Sequence, residues 1–182
     1  MICREIINPE FYSFSDVVQY RQQYLTPTER SSSEISVSFL PKSFNASVLM
    51  DYDSKDEDCI AAARTFVQNL ESEHNLLCTL CVHYGPEGFI DWHTNANAHM
   101  HNAICTFSDD GLSFFEYKNE QGEIVRLQDP IGWSVKKFYW GHEDPIEHRA
   151  VSSNCRITIT FSSKDEAIID TFIKTITNKG DE

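Results

Sequence analysis

The 182-residue chain carries 15 basic against 28 acidic residues, a formal net charge of −13. Such a surface repels phosphate backbones and no Lys/Arg cluster offsets it, which argues against a nucleic-acid partner while leaving room for one small anion in a local basic pocket. Hydrophobic residues at 41% and aromatics at 12% suffice for one buried core and argue against disorder beyond the termini.

No apolar run reaches membrane-spanning length, and "MICREIINPEFYSF" lacks the apolar core of a signal peptide. The expectation is a cytoplasmic protein with no membrane partner. Along the chain, "SFSDVVQYRQQYL" has a Ser/Asp start and helical spacing, which predicts a helix near 15–25. "EISVSFL" and "SVLMDY" alternate like short strands. "SKDEDCIAAARTFVQNLESEH" opens with acids and places Ile60, Ala63, Phe66, Val67 and Leu70 on one face, predicting a helix over roughly 56–73.

The texture then changes to short strands punctuated by turn signals. "NLLCTLCVHY" ends at "GPEG" and "FIDWHT" follows. "HNAICTFS" ends at "DDG", "LSFFEYK" at "NEQG", "EIVRLQ" at "DPIG", "WSVKKFYW" at "GHEDP" and "IEHRAV" at "SSN"; "CRITITFSS" comes last. A C-terminal helix is predicted in "KDEAIIDTFIKTI", with apolar residues at 168, 169, 172, 173 and 176. About eight strands preceded by helices that can buttress a sheet predict a mainly β fold, a jelly-roll or cupin-like barrel. No repeat or linker interrupts it, so residues 1–182 read as one domain: N-terminal support to 74, a barrel core over 75–162, and a closing helix over 163–182.

The cysteines (Cys3, Cys59, Cys78, Cys81, Cys105 and Cys155) show no disulfide framework. On a regular strand Cys78 and Cys81 of "CTLC" point to opposite faces, so they read as packing residues and not as a redox pair. A Gly-rich phosphate loop and a nucleophile elbow are both absent, which leaves phosphotransfer and serine hydrolysis without support.

Chemistry centres on the histidines: His74, His83, His93, His99, His101, His142 and His148. His74 sits at a helix C-terminus, where a partly positive ring is favourable. His93 ends a strand after the Gly-Pro turn. His148 begins the penultimate strand, and Arg156 follows it on the last one. Arg156 and Thr158, two apart, share one face, while Ile157, Ile159 and Phe161 take the other. A guanidinium turned into a barrel must be paired, and its fork suits a carboxylate.

The order "WHTN" followed by "EHRAVSSNCRITITF" resembles the Fe(II)/2-oxoglutarate-dependent dioxygenase superfamily. More narrowly, "SFFEY…GWSVKKF…H…RITITF" is similar to phage-encoded members that also read His-Thr-Asn. The resemblance covers roughly residues 75–162 and implies a double-stranded β-helix. It further implies Fe(II) held by His93, residue 95 and His148, and 2-oxoglutarate anchored by Arg156 and Thr158; Tyr84, just before "GPEG", is a weaker candidate, for the cosubstrate or for packing at the turn. The implied activity is oxidation, as hydroxylation, of a small-molecule or side-chain substrate, in the host cytoplasm if phage-encoded.

Asn95 stands where the superfamily has a carboxylate. An amide oxygen ligates iron without supplying charge. Three readings stay open at this point: Asn95 as a weak ligand, a coordination position left to water, chloride or an acid such as Asp91, or a pocket that has lost iron and serves as a non-catalytic binding module. A further alternative is a cupin-like site built from His99, His101 and His148, since "HMH" has strand spacing suited to a metal; the Glu that a cupin pattern requires is missing from "NAICTFS". Trp92 and Trp133 are candidates for a substrate mouth or for packing, and Ser113 and Tyr117 remain ambiguous.

Overall fold

A computed structural model describes residues 2–3, 8–24, 44–49, 57–95, 99–141 and 145–177. The strand expected in "EISVSFL", the second half of that expected in "SVLMDY", and His142 lie outside these residues.

The elements run β1 (Ile2–Cys3), α1 (Pro9–Tyr24), β2 (Phe44–Asn45), β3 (Ser47–Val48), α2 (Glu57–His74), β4 (Leu77–Tyr84), β5 (Phe89–His93), β6 (Met100–Ser108), β7 (Phe114–Lys118), β8 (Ile124–Gln128), β9 (Gly132–Trp140), β10 (His148–Val151), β11 (Arg156–Ser163) and α3 (Glu166–Thr177). Two antiparallel sheets form, in the orders β1-β9-β6-β11-β4-β3 and β2-β5-β10-β7-β8. From β4 onward, most successive strands alternate between the sheets, so the long strands of one (β9, β6, β11, β4) face the short strands of the other (β5, β10, β7, β8). That is the double-stranded β-helix, a jelly roll that fits the expectation from the turn-punctuated strands.

Turn chemistry fixes the strand ends. Asn119 Oδ1 accepts from Gln121 N and Glu123 N while Gly122 takes φ 76°, which turns β7 into β8. Gly88 closes the β4–β5 turn so tightly that a Cβ there would meet Gly85 O at 2.9 Å and Asn45 O at 3.0 Å.

The long sheet separates two apolar layers. Its outer side carries Cys81, Ala103, Cys105, Trp133, Val135, Ile157, Ile159 and Phe161, which pack on Phe11, Phe14 and Val18 of α1, Val67 and Leu70 of α2, and Ile169, Phe172 and Ile176 of α3. The three helices thus buttress one sheet. Between the sheets a second layer gathers Val82, Tyr84, Ile90, Ile104, Phe115, Trp140 and Ala150. α2 ends in a left-handed Asn75 (φ 54°) with Leu76 N bonded back to Glu71 O at 3.1 Å, which buries Leu76 in the helix-side layer.

Two expectations need correction. α1 begins at Pro9, well before the predicted start: Asn8 Oδ1 accepts from Glu10 N at 2.9 Å and Pro9 occupies the first helical position, a start signal stronger than Ser15/Asp16. Cys78 and Cys81 do not diverge. The register of β4 on β11 jumps from Leu80↔Thr160 to Cys78↔Phe161, so Thr79 is an extra residue, and both cysteines pack on the helix-side layer. They remain free thiols, as expected.

Candidate functional site

His93 and His148 face each other across the β5–β10 ladder, directly paired, with ring centroids 4.2 Å apart. A bulge brings them together. The register passes from His93↔His148 to Ile90↔Ala150, so β5 holds one residue more than its partner. The extra residue turns Asp91 and Trp92 outward beside Arg149, and returns His93 to the interior face that Ile90 occupies.

Both rings are fixed by backbone carbonyls. His93 Nδ1 donates to Asp91 O at 2.7 Å and His148 Nδ1 donates to Ile146 O at 2.9 Å. A carbonyl only accepts, so each Nδ1 carries the proton and each Nε2 presents a lone pair. This is the tautomer that metal-binding imidazoles adopt when a second hydrogen bond orients them. Burial, reinforced by the neighbouring His93, pushes His148 down to about 3. Burial also lowers His93. Trp140 stacks on His148 at 4.5 Å and 16°, and Phe115 lies 5.4 Å away, so this imidazole is clamped.

Asn95 joins the pair: its amide nitrogen lies 3.5 Å from His148 Nε2. Among the described residues no three His, Cys, Asp or Glu side chains come together as a metal site. The donor set here is thus two imidazole nitrogens and one neutral amide, chemistry that suits a divalent iron without its usual charge compensation. Asp91 does not make up the deficit, because its carboxylate caps Trp92 N at 2.8 Å on the outer side of the sheet.

The second half of the site lies on the inner face of the long sheet. Arg156 pairs in register with Tyr84 and Ser108, Thr158 with Thr106, Thr106 with Ser134, and Ile104 with Lys136. Alternation puts Arg156, Thr158 and Lys136 inside the barrel, with Arg156 and Lys136 each 1% exposed. Asp129 lies between the two cations. Its Oδ2 accepts from Arg156 Nε at 2.8 Å and its Oδ1 accepts from Lys136 Nζ. Arg156 Nη1 donates to Thr158 Oγ1 at 2.5 Å, and the guanidinium carbon lies 5.0 Å from the centroid of the Tyr84 ring. Burial pushes Asp129 up, but Arg156 and Lys136 outweigh it and hold the carboxyl below its ordinary range. Burial raises Tyr84 and outweighs the opposing pull of Arg156 and Thr158, so its phenol stays protonated.

Arg156 Nη2, by contrast, is buried and has no hydrogen-bond partner among the described residues, and Thr106 Oγ1 shares that condition. Orphaned polar groups in a native interior are rare and call for an occupant. Lys136 and Trp140 lie on the same face of β9, four residues apart and so roughly 13 Å at the usual rise. Because Trp140 stacks on His148, the imidazole pair and the cation pair belong to one interior.

The other candidates are placed as follows. His101 lies on the outer side of the long sheet against its register partner Tyr139, ring centroids 4.7 Å apart. His148 points into the barrel. Opposite faces of the long sheet separate them, so the geometry does not assemble a cupin-like site from His99, His101 and His148. Trp133 belongs to the core, its Nε1 donating to Phe11 O at 2.9 Å. Trp92 packs outside under Arg149 and Lys118. Ser113 is a loop brace whose Oγ accepts from Ser153 N, and Tyr117 pairs with His148 inside the barrel. Sequence reading missed Asp129, Lys136 and Trp140. The signal for the last two was present in "WSVKKFYW", whose alternation puts Ser134, Lys136, Phe138 and Trp140 on one face.

Strand order and inward groups define a double-stranded β-helix barrel that carries a histidine pair and a buried guanidinium. Among solved structures, the chain is similar to a prolyl hydroxylase from Trichoplax adhaerens, in complex with a hypoxia inducible factor oxygen degradation domain peptide fragment (TM-score 0.49, 16% identity, 94% of this chain and 86% of that one). A prolyl-4-hydroxylase from Pseudomonas putida gives 0.48, 12%, 89% and 90%. A cupin-like protein from Thermotoga maritima gives 0.34, 12%, 79% and 84%. No family model and no curated protein matches the chain. These likenesses concern architecture; activity is considered below from the side chains alone.

Proposed function

We propose that this chain is an Fe(II)- and 2-oxoglutarate-dependent oxygenase, a hydroxylase of a small-molecule or side-chain substrate. One observation carries the reading: a fully buried guanidinium with an unpartnered Nη2 lines the interior in which two neutral imidazoles present their Nε2 edges. A buried cation with spare donors fits a carboxylate, and an adjacent imidazole pair fits the metal that the same molecule would chelate.

In this reading His93 and His148 hold iron through Nε2, and the Asn95 amide, whose nitrogen faces His148 Nε2 here, turns over to offer its oxygen and no charge. Bound iron and 2-oxoglutarate supply the oxidative chemistry, the oxoacid giving succinate and CO₂ as O₂ is consumed. The protein contributes the rest. The carbonyls of Asp91 and Ile146 lock the ring tautomers, and Trp140 and Phe115 keep His148 from turning and exclude water around it. Arg156 and Thr158 orient the cosubstrate by its far carboxylate, and Tyr84 backs the guanidinium. The formal charge of −13 argues that the substrate is not a long polyanion.

Asn95 in place of an acid also favours a second reading, a barrel that binds a small carboxylate without turnover. Anaerobic Fe(II) titration with and without 2-oxoglutarate separates the two. A weak visible charge-transfer band that disappears in Arg156→Ala, together with slow succinate release that disappears in His148→Ala, supports the oxygenase. Carboxylate binding with no band and no succinate leaves the binding module, and full succinate release by His148→Ala refutes the proposed metal site.

A further inference from the structure

Asp129 meets two cations, and how it divides itself between them matters. On a guanidinium, Nε–H and one Nη2–H point the same way, forming the fork that holds both oxygens of a carboxylate. Asp129 is placed at that fork yet fills one tine. Its Oδ2 takes Nε–H at 2.8 Å, its Oδ1 turns to Lys136 Nζ, and Nη2 is left, buried, without a partner among the described residues. Thr158 takes the hydrogen bond of Nη1 on the far side. The open donor of Arg156 is therefore a consequence of where the second oxygen of Asp129 goes.

We propose that Lys136 is a positioning residue: by holding Asp129 Oδ1 it keeps Arg156 Nη2 free to receive the carboxylate of 2-oxoglutarate. This rests on the reading of the preceding section. Without the ammonium, Asp129 swings onto both tines and becomes an internal competitor for the anion site. Lys136 reaches this place because it alternates inward on β9 opposite Ile104, and Asp129 because it directly follows β8 with its amide bonded to Ser113 O at 2.9 Å. The loop residue is anchored, so its carboxylate chooses between two neighbours and cannot drift away.

The test measures 2-oxoglutarate binding by calorimetry on the full chain with Mn(II) and without O₂. Lys136→Met is expected to weaken binding about tenfold, the scale of one buried charge-assisted hydrogen bond. Adding Asp129→Asn to Lys136→Met is expected to restore binding to within a few-fold of wild type, because an amide offers a single acceptor and fills a single tine. A Lys136→Met protein that binds like wild type overturns the proposal. So does a double variant that stays weak, since Lys136 would then contact the ligand itself or serve only packing.

A ligand-free readout keeps this separate from the cosubstrate reading. In Lys136→Met the side-chain ¹⁵N–¹H signals of Arg156 should show slowed rotation about Cζ–Nη2 as the fork closes; unchanged signals refute the positioning role. Wild type that binds no 2-oxoglutarate refutes the cosubstrate, and the NMR result then decides the Asp129 switch by itself. Should Lys136→Met fail to fold, Lys136→Gln, of shorter reach, replaces it with the same expected order.

Discussion

His83 offers a direct energetic test of the fold. It lies on the helix side of β4, 6% exposed, with Nε2 3.5 Å from Cys155 Sγ. Burial pushes its pKa down from 6.5 to about 4. The folded state therefore keeps the ring neutral at acidities where the unfolded chain takes up a proton. Its contribution is full above pH 6.5 and is lost as pH falls toward 4. Integrating the proton linkage from pH 7.5 to pH 5 gives a loss of about 2 kcal/mol from this one group. Carboxylates titrate below that window. His148 and His93 act with the same sign in metal-free protein, so the total loss is larger and the comparison must isolate His83. Urea unfolding midpoints at pH 7.5, 6.5, 5.5 and 5.0 should fall more steeply for wild type than for His83→Gln. At an m-value of about 2 kcal/mol/M, the extra fall is roughly 1 M over the range. Parallel pH dependences in the two proteins would refute the reasoning, whatever their absolute stabilities.

Under the proposed iron site, Asn95→Asp supplies a charged ligand and should tighten Mn(II) binding by at least about tenfold in an anaerobic titration; unchanged affinity would exclude residue 95 from the proposed ligand set. Burial pushes the thiols of Cys78 and Cys155 up to about 12, so alkylation at pH 8 should be slow in native protein and fast in urea. Rapid native labelling at either position would contradict the packing described for it. Ile159→Ala, at a site with 0% exposure between β11 and the helices, should cost about 3 kcal/mol in thermal or urea unfolding.

Much of the barrel was legible because its strands are short and their turns carry chemistry: "GPEG", "NEQG" and "DPIG" mark strand ends that the structure keeps to within a residue or two. α2 was equally plain, since its apolar stripe at helical spacing meets the long sheet. His93, His148 and Arg156 were visible as a pattern, through resemblance and not through spacing. What stayed hidden depended on pairing between distant segments. Asp129 looked like an ordinary turn acid until β8 and β9 brought it between Lys136 and Arg156. The "HMH" pair looked metal-like because parity along β6 says which residues share a face, and cannot say which face looks into the barrel. Cys78 and Cys81 went astray because an extra residue in β4 resets that parity locally.

The bulge in β5 sets this chain's chemistry by counting. A strand has a reading frame of two, and the frame that buries Ile90 would, if unbroken, turn His93 toward solvent and Trp92 toward the barrel interior. One inserted position shifts the frame in the last turn before the histidine. Removing Asp91 would delete the extra position and leave regular alternation, with Ile90 and His93 both turned inward and Trp92 between them turned outward. The inward place of His93 thus rests on a local irregularity, and strict alternation counted from Ile90 would put Trp92 inside in its stead.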